Sequence, residues 1–204
     1  MPTVKESSDE LNPPVITKGG VIARRPSKRT VSNYLALAFA TWGVGYAPLA
    51  PGTFGSAVGV GLYLLLGAIS ERVLAYGAAH GWTTERLASS RMTLMLLVVA
   101  LVTIVGVWAA SQTEKLLGRK DPGIVVVDEV AGQLIAFLFV PFNSGWLVIL
   151  VGFGLFRLFD IWKPYPIRRL EMLESGLGIM ADDVLAGIYA AILMSLLVSI
   201  YPML

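Results

Sequence analysis

The sequence predicts an all-α, multi-pass membrane bundle with an acidic site at its helix ends. Three observations carry that reading. Mean hydropathy is +0.70, and 55% of the 204 residues are apolar while only 15% are charged, against about 25% charged in a soluble domain. Long apolar stretches alternate with short polar ones, and within a bilayer a backbone satisfies its own polar groups only as a helix or a closed barrel. Acidic residues cluster where apolar stretches begin or end, instead of being spread over the polar segments.

Residues 1–32 carry Lys5, Glu6, Asp9, Glu10, Pro13, Pro14, Arg24, Arg25, Lys28 and Arg29 and few large apolar side chains. Such a segment buries too little surface to offset its ordering entropy and is expected to be a disordered tail. It lacks the basic start and apolar core of a signal peptide, so the tail is expected to stay in the cytosol. Residues 33–204 then form one membrane-embedded domain. Phe54–Ile69 is Gly-rich and short for a span. Met92–Ala110 would make a helix of about 28 Å, the thickness of the hydrocarbon core. Val130–Phe156 is longer and is interrupted by Pro141, Asn143, Ser144 and Gly145, and Val184–Tyr201 is the last apolar stretch. The polar segments 70–91, 111–129 and 157–183 are expected to connect them.

Basic residues orient the chain. Placing only segment 70–91 outside leaves every Lys and Arg inside except Arg72, Arg86 and Arg91. That arrangement requires Val130–Phe156 to enter and leave on one side, as a bent hairpin whose halves each reach about 16–18 Å. One full tilted span is the alternative, and it would put 157–183 opposite 111–129.

The residue inventory narrows the chemistry. Cysteine is absent, which excludes disulfides, thiolate catalysis and Cys-based zinc sites. His80 is the single histidine, which excludes mechanisms that need two imidazoles, and its Gly-flanked segment makes it an incidental surface residue. A net charge of +2 with no basic stripe excludes nucleic acid as a partner. Carboxylates, amines, guanidiniums and hydroxyls remain.

Asp128 and Glu129 follow the β-branched run Ile124–Val127, Asp160 lies between Arg157 and Lys163 at steps of three, and Asp182 and Asp183 open the last apolar helix. Without imidazoles, clustered carboxylates suit a hard oxygen-seeking cation such as Mg²⁺. For any one acidic pair alone, capping and the helix dipole are the favoured explanation, but three clusters together shift the balance, because ionisable groups beside apolar spans are costly and are usually functional. Asp128 and Asp183 each precede a glycine, Gly132 and Gly187, by four residues on one helix face. Small residues there let helices approach closely, which would bring the two carboxylates together. Arg157 and Lys163 suit either a local ion-pair ladder or a phosphate grip. Pro164 and Pro166 end that helix and hold Arg168 and Arg169 in a turn, where they grip phosphate, snorkel to anionic headgroups or pair with Glu171. In the Pro/Gly loop Ala47–Ser56, Thr53 and Ser56 are candidates to cradle a phosphate, with plain helix capping as the alternative.

Taken together, four blocks resemble the phosphatidylglycerophosphatase A family: Gly43–Ser56, Asp121–Gln133, Phe156–Arg168 and Gly178–Gly187, within a likeness running from about Leu37 to Ile192. The resemblance implies an all-helical Mg²⁺-dependent lipid phosphatase of the bacterial cytoplasmic membrane, which converts phosphatidylglycerophosphate to phosphatidylglycerol in phospholipid biosynthesis. It also favours the hairpin, since all four blocks must then meet on the cytosolic side. On this reading Asp128, Glu129, Asp160, Asp182 and Asp183 hold one or two metal ions, with Asp128, Asp160, Asp183 and Lys163 catalytic. Arg157, Lys163, Arg168, Thr53 and Ser56 bind the phosphate, and the bilayer receives the acyl chains. The rival class is a small transporter or channel that binds a cation on its edge carboxylates. Against it, the charges sit at helix ends and not at mid-span.

Overall fold

The computed structural model describes residues 15–16, 22–23 and 30–200. The tail expected over 1–32 lies almost wholly outside the described residues. Within it, β1 (Val15–Ile16) and β2 (Ile22–Ala23) form a short antiparallel pair. From residue 30 onward the described chain is all helical, as the sequence predicts: α1 (Val31–Thr41), a 3₁₀ turn (Val44–Tyr46), α2 (Pro51–Ala79), α3 (Thr84–Leu117), α4 (Val127–Ala136), α5 (Trp146–Trp162), α6 (Ile167–Leu170) and α7 (Ser175–Ile200).

α2, α3 and α7 are long and apolar enough to cross a membrane. At 1.5 Å per residue they run about 43, 51 and 39 Å, beyond the roughly 30 Å hydrocarbon core. The polar segment 70–91 is therefore mostly not a loop. Its Glu, Arg, Ala and Leu residues are good helix formers and continue α2 and α3 past the apolar zone. Only the turn at His80–Thr83 interrupts them, with Gly81 at φ 71° and the Thr83 hydroxyl accepting from the Arg86 N–H at 3.3 Å. A Glu71–Arg91 ion pair of 2.7 Å ties the two helices beyond the turn. The short stretch Phe54–Ile69 becomes a full span in the same way, because Pro51 is tolerated in the first turn and the helix propagates on to Ala79.

Val130–Phe156 is a hairpin and not a single span. α4 descends about 15 Å, the chain turns over residues 137–145, and α5 returns over about 25 Å. The returning arm is longer than the half-span the sequence suggests. Tyr63 of α2, almost wholly buried, donates its hydroxyl to the Pro141 carbonyl oxygen at 2.7 Å and so pins the turn. Both arms begin or end at the same end of the bundle, where Pro51, Lys120, Asp128, Lys163 and Ser175 line one cavity.

α4 is the axis of the fold. Every residue from Val130 to Ala136 is buried, and α2, α3, α5 and α7 surround it. Its closest partner is α7. A Cβ added at Gly187 would lie 3.0 Å from Gly132 Cα and against the Gly132 carbonyl oxygen, and a Cβ at Gly132 would lie 2.6 Å from the Asp183 carbonyl oxygen. The two glycines foreseen on one face of each helix therefore meet each other. A branched side chain at either position would push backbones apart, and overpacking of this kind costs about 1–3 kcal/mol. Gly187→Val should lower the thermal unfolding midpoint of the detergent-solubilised protein. Gly154→Ala, where a Cβ meets open space, should not lower it; equal losses would mean that the glycine contact is not the constraint.

Candidate active site at the helix ends

A cavity of about 860 Å³ opens at the end of the bundle where α4 begins, α5 ends and α7 enters. Eight of the ten site residues expected from sequence line it: Asp128, Glu129, Arg157, Asp160, Lys163, Arg168, Asp182 and Asp183. Thr53 and Ser56 do not. Thr53 is exposed outside it, and Ser56 is fully buried, with its hydroxyl donated to the Gly52 carbonyl oxygen at 3.0 Å. The loop contributes backbone instead, through Ala50, Pro51 and Gly52. A Cβ at Gly52 would fall on the Glu129 carboxylate and 3.2 Å from an Arg157 guanidinium nitrogen, so only glycine leaves both side chains room.

Asp128 and Glu129 occupy the first turn of α4 without acting as its cap; the capping position is Val126, and no side chain caps it. The Val126 N–H instead donates to the Ala40 carbonyl oxygen at 2.8 Å, which fixes the start of α4 on the end of α1. Asp182 and Asp183 do not open a helix at all. α7 starts at Ser175 and carries them two turns into its interior. The Gly-rich stretch before them is helical because it packs on α3: the Gly176 N–H donates to Ser111 Oγ at 3.0 Å, and Gly176 leaves no room for a side chain beside Val107 and Ser111. Capping therefore explains neither acidic pair.

The five carboxylates divide by partner. Asp128, Glu129 and Asp183 each present an oxygen, all within 4.8 Å of one another. Asp128 Oδ1 and Glu129 Oε2 are buried and have no hydrogen-bond partner among the described residues. Asp160 accepts from Arg157 one turn back on α5 and lies beside Asp183. Asp182 stands apart from the trio and accepts from Lys163 Nζ at 2.7 Å. Two like charges 4.8 Å apart repel by roughly 3 kcal/mol at an effective dielectric constant of about 20. A hard divalent ion would relieve that repulsion, and the trio's all-oxygen donor set with unused buried lone pairs fits one.

Lys163 ends α5 in the left-handed conformation, φ 47°, which turns its side chain back over the cavity. Its ammonium also meets Glu171 at 2.5 Å. Burial alone would push the Lys163 ammonium down, but hydrogen bonds and charge from Asp182 and Glu171 outweigh it and hold the group above the ordinary lysine range. Lys163 is thus a permanent cation in the cavity wall. Three further wall residues, Lys120, Asp121 and Glu171, were not singled out as site residues by sequence reasoning. Lys120 and Asp121 sit in a connection with no helical pattern to aim them, and Glu171 was weighed only as a partner for arginine. His80 is exposed at the far end, with Nδ1 2.7 Å from the Tyr76 carbonyl oxygen and its ring stacked on Tyr76.

Removing Lys163 strands the buried Asp182 carboxylate. Lys163→Met should destabilise the protein by about 2–4 kcal/mol, and a second change, Asp182→Asn, should restore part of that loss. Chemical or thermal unfolding of the two variants checks it, and a double variant no more stable than the single one would remove the pair as a structural element.

Against this geometry, comparison with known proteins is specific. Residues 38–198 match the family described as Phosphatidylglycerophosphatase A. A phosphatidylglycerophosphatase A of Escherichia coli is 33% identical over 81% of this chain and 84% of its own length, and one of Haemophilus influenzae is 37% identical over 81% and 89%. A protein of Bacteroides thetaiotaomicron named as a putative phosphatidylinositol-3-phosphatase is 40% identical over 76% of this chain and 87% of its own length. No solved structure matches the chain. Matched through both arms of the carboxylate site, the chain belongs to the phosphatidylglycerophosphatase A family and is a phosphatase.

Proposed function

We propose that the protein is a Mg²⁺-dependent phosphatase of the cytoplasmic membrane that hydrolyses phosphatidylglycerophosphate to phosphatidylglycerol and phosphate on the cytosolic side, as a step of phospholipid biosynthesis. One observation carries the reading: carboxylates of α4 and α7 converge with Arg157 and Lys163 in a single cavity at one end of the helix bundle in a chain of this family. The positive-inside distribution supports a cytosolic cavity, since Lys115, Arg119, Lys120, Lys163, Arg168 and Arg169 lie at that end.

Asp128, Glu129 and Asp183 would hold Mg²⁺. A bound Mg²⁺ supplies Lewis-acid polarisation of the phosphoryl group and of attacking water. Arg157 and Lys163, each held by a carboxylate, neutralise the charge that grows on the phosphoryl oxygens. Asp160, beside Asp183, takes the proton of the incoming water as the oxygen–phosphorus bond to the headgroup breaks, and the departing headgroup alkoxide takes its proton from solvent water at the open mouth of the cavity. Asp182 acts by orienting Lys163.

The relatives' names favour a second headgroup, phosphoinositol, on the strength of the Bacteroides protein. Both lipids present a phosphomonoester on a polyol, so the same residues serve either. Purified protein should release phosphate from phosphatidylglycerophosphate with Mg²⁺ and not with EDTA, and side-by-side assay of phosphatidylinositol 3-phosphate decides the headgroup. Asp128→Asn should lower kcat about 10²-fold or more and weaken Mn²⁺ binding read by calorimetry or paramagnetic resonance, while Thr53→Ala stays within about twofold of the parent rate. An Asp128→Asn protein with full activity and unchanged metal binding would take that residue out of the site.

A further inference from the structure

Four cations line the cavity, and they fall into two kinds. Arg157 is held by Asp160, and Lys163 by Asp182 and Glu171. Lys120 and Arg168 are exposed and make no ion pair among the described residues. They come from separate elements, the α3–α4 connection and α6, yet face the same cavity. We propose that Lys120 and Arg168 form a second anion subsite that binds the phosphodiester joining the substrate's headgroup to its diacylglycerol. The inference rests on the phosphatase reading above and deepens it by naming what selects the substrate class.

The position of Arg168 supports it. Ile167, fully buried, anchors α6 against Phe156, Ala186 and Ala190, so the backbone that carries Arg168 is held in place. Trp162 and Tyr165, 61% and 73% exposed, flank it, and such aromatics mark the headgroup level of a bilayer. Exposed Ile161 and Met172 line the cavity beside it. The diester of a phospholipid lies at this level, between a water-facing headgroup and buried acyl chains. The neighbouring Arg169 points elsewhere, its guanidinium over the Tyr165 ring at 4.9 Å and outside the cavity lining. A cation of the same helix is thus present as an internal contrast.

A monoester grip alone does not distinguish phosphatidylglycerophosphate from phosphatidic acid, whose single phosphate is bonded directly to diacylglycerol. A diester subsite does, and it would serve every lipid that carries a phosphorylated polyol on a phosphodiester. One charged hydrogen bond is worth about 1.5–3 kcal/mol, or roughly tenfold or more in affinity.

The test uses the full chain in neutral detergent with Mg²⁺, with phosphatidylglycerophosphate and phosphatidic acid of matched acyl chains, the latter read as substrate or as competitive inhibitor. Lys120→Gln and Arg168→Gln should each raise KM for phosphatidylglycerophosphate about tenfold, keep kcat within about twofold, and leave the constant for phosphatidic acid unchanged. Arg169→Gln should change neither. Parallel losses on both lipids, an Arg169→Gln effect equal to that of Arg168→Gln, or unaffected variants of an active enzyme would each overturn the subsite alone. Absence of phosphate release by the unsubstituted protein from any phospholipid would overturn the phosphatase reading, and the subsite with it.

Discussion

The contact between Gly132 of α4 and Gly187 of α7 sets the distance on which the site depends. Two helices that touch backbone to backbone carry the residues one turn above the contact to nearly the same point, and those residues are Asp128 and Asp183. Close approach also strengthens the repulsion between the carboxylates it gathers. Packing of the wholly buried α4 core offsets that repulsion, so the acidic trio is sustained by apolar contacts it does not itself make. Loosening the glycine contact would relieve the repulsion and disperse the ligands in one movement.

The hairpin solves a separate problem, that of bringing α5 back to the end where α4 begins. A single span would carry Arg157, Asp160 and Lys163 to the opposite face of the membrane. The turn over 137–145, pinned by the Tyr63 hydroxyl, returns them to the carboxylates of α4 and α7. There the cations are distributed with economy: Arg157 and Lys163 neutralise Asp160 and Asp182, and Asp128, Glu129 and Asp183 are left to one another. Neighbouring acids of one helix are thereby given different partners: Asp182 goes to Lys163, and Asp183 to Asp128 and Glu129.

Much of this was legible in the sequence, and the misreadings share a cause. Apolar content and spacing identified the bundle, and the polar blocks identified eight cavity residues, because charges beside apolar helices have few tolerated positions. Segment 70–91 looked like a loop because it is polar, whereas polarity there reports emergence from the apolar zone of helices that simply continue. Asp182 and Asp183 looked like a helix start because the preceding Gly-Leu-Gly stretch is a poor helix former in isolation; packing on α3 makes it the first two turns of α7. Thr53 and Ser56 looked like anion ligands by residue type, but helical phase turns Ser56 inward to its own backbone and Thr53 outward.

By itself the sequence determined the class of the fold, the exclusion of thiol chemistry and of mechanisms that need two imidazoles, and the set of carboxylates and cations available, since these follow from composition, hydropathy and local spacing. The tertiary structure alone decided which three carboxylates share one point, which two are engaged by Arg157 and Lys163, and that Lys120 and Arg168 face the same cavity without an ion pair. Those outcomes depend on distances between residues far apart in the chain. They are set by helix contacts and a pinned turn, which no local pattern of residues encodes.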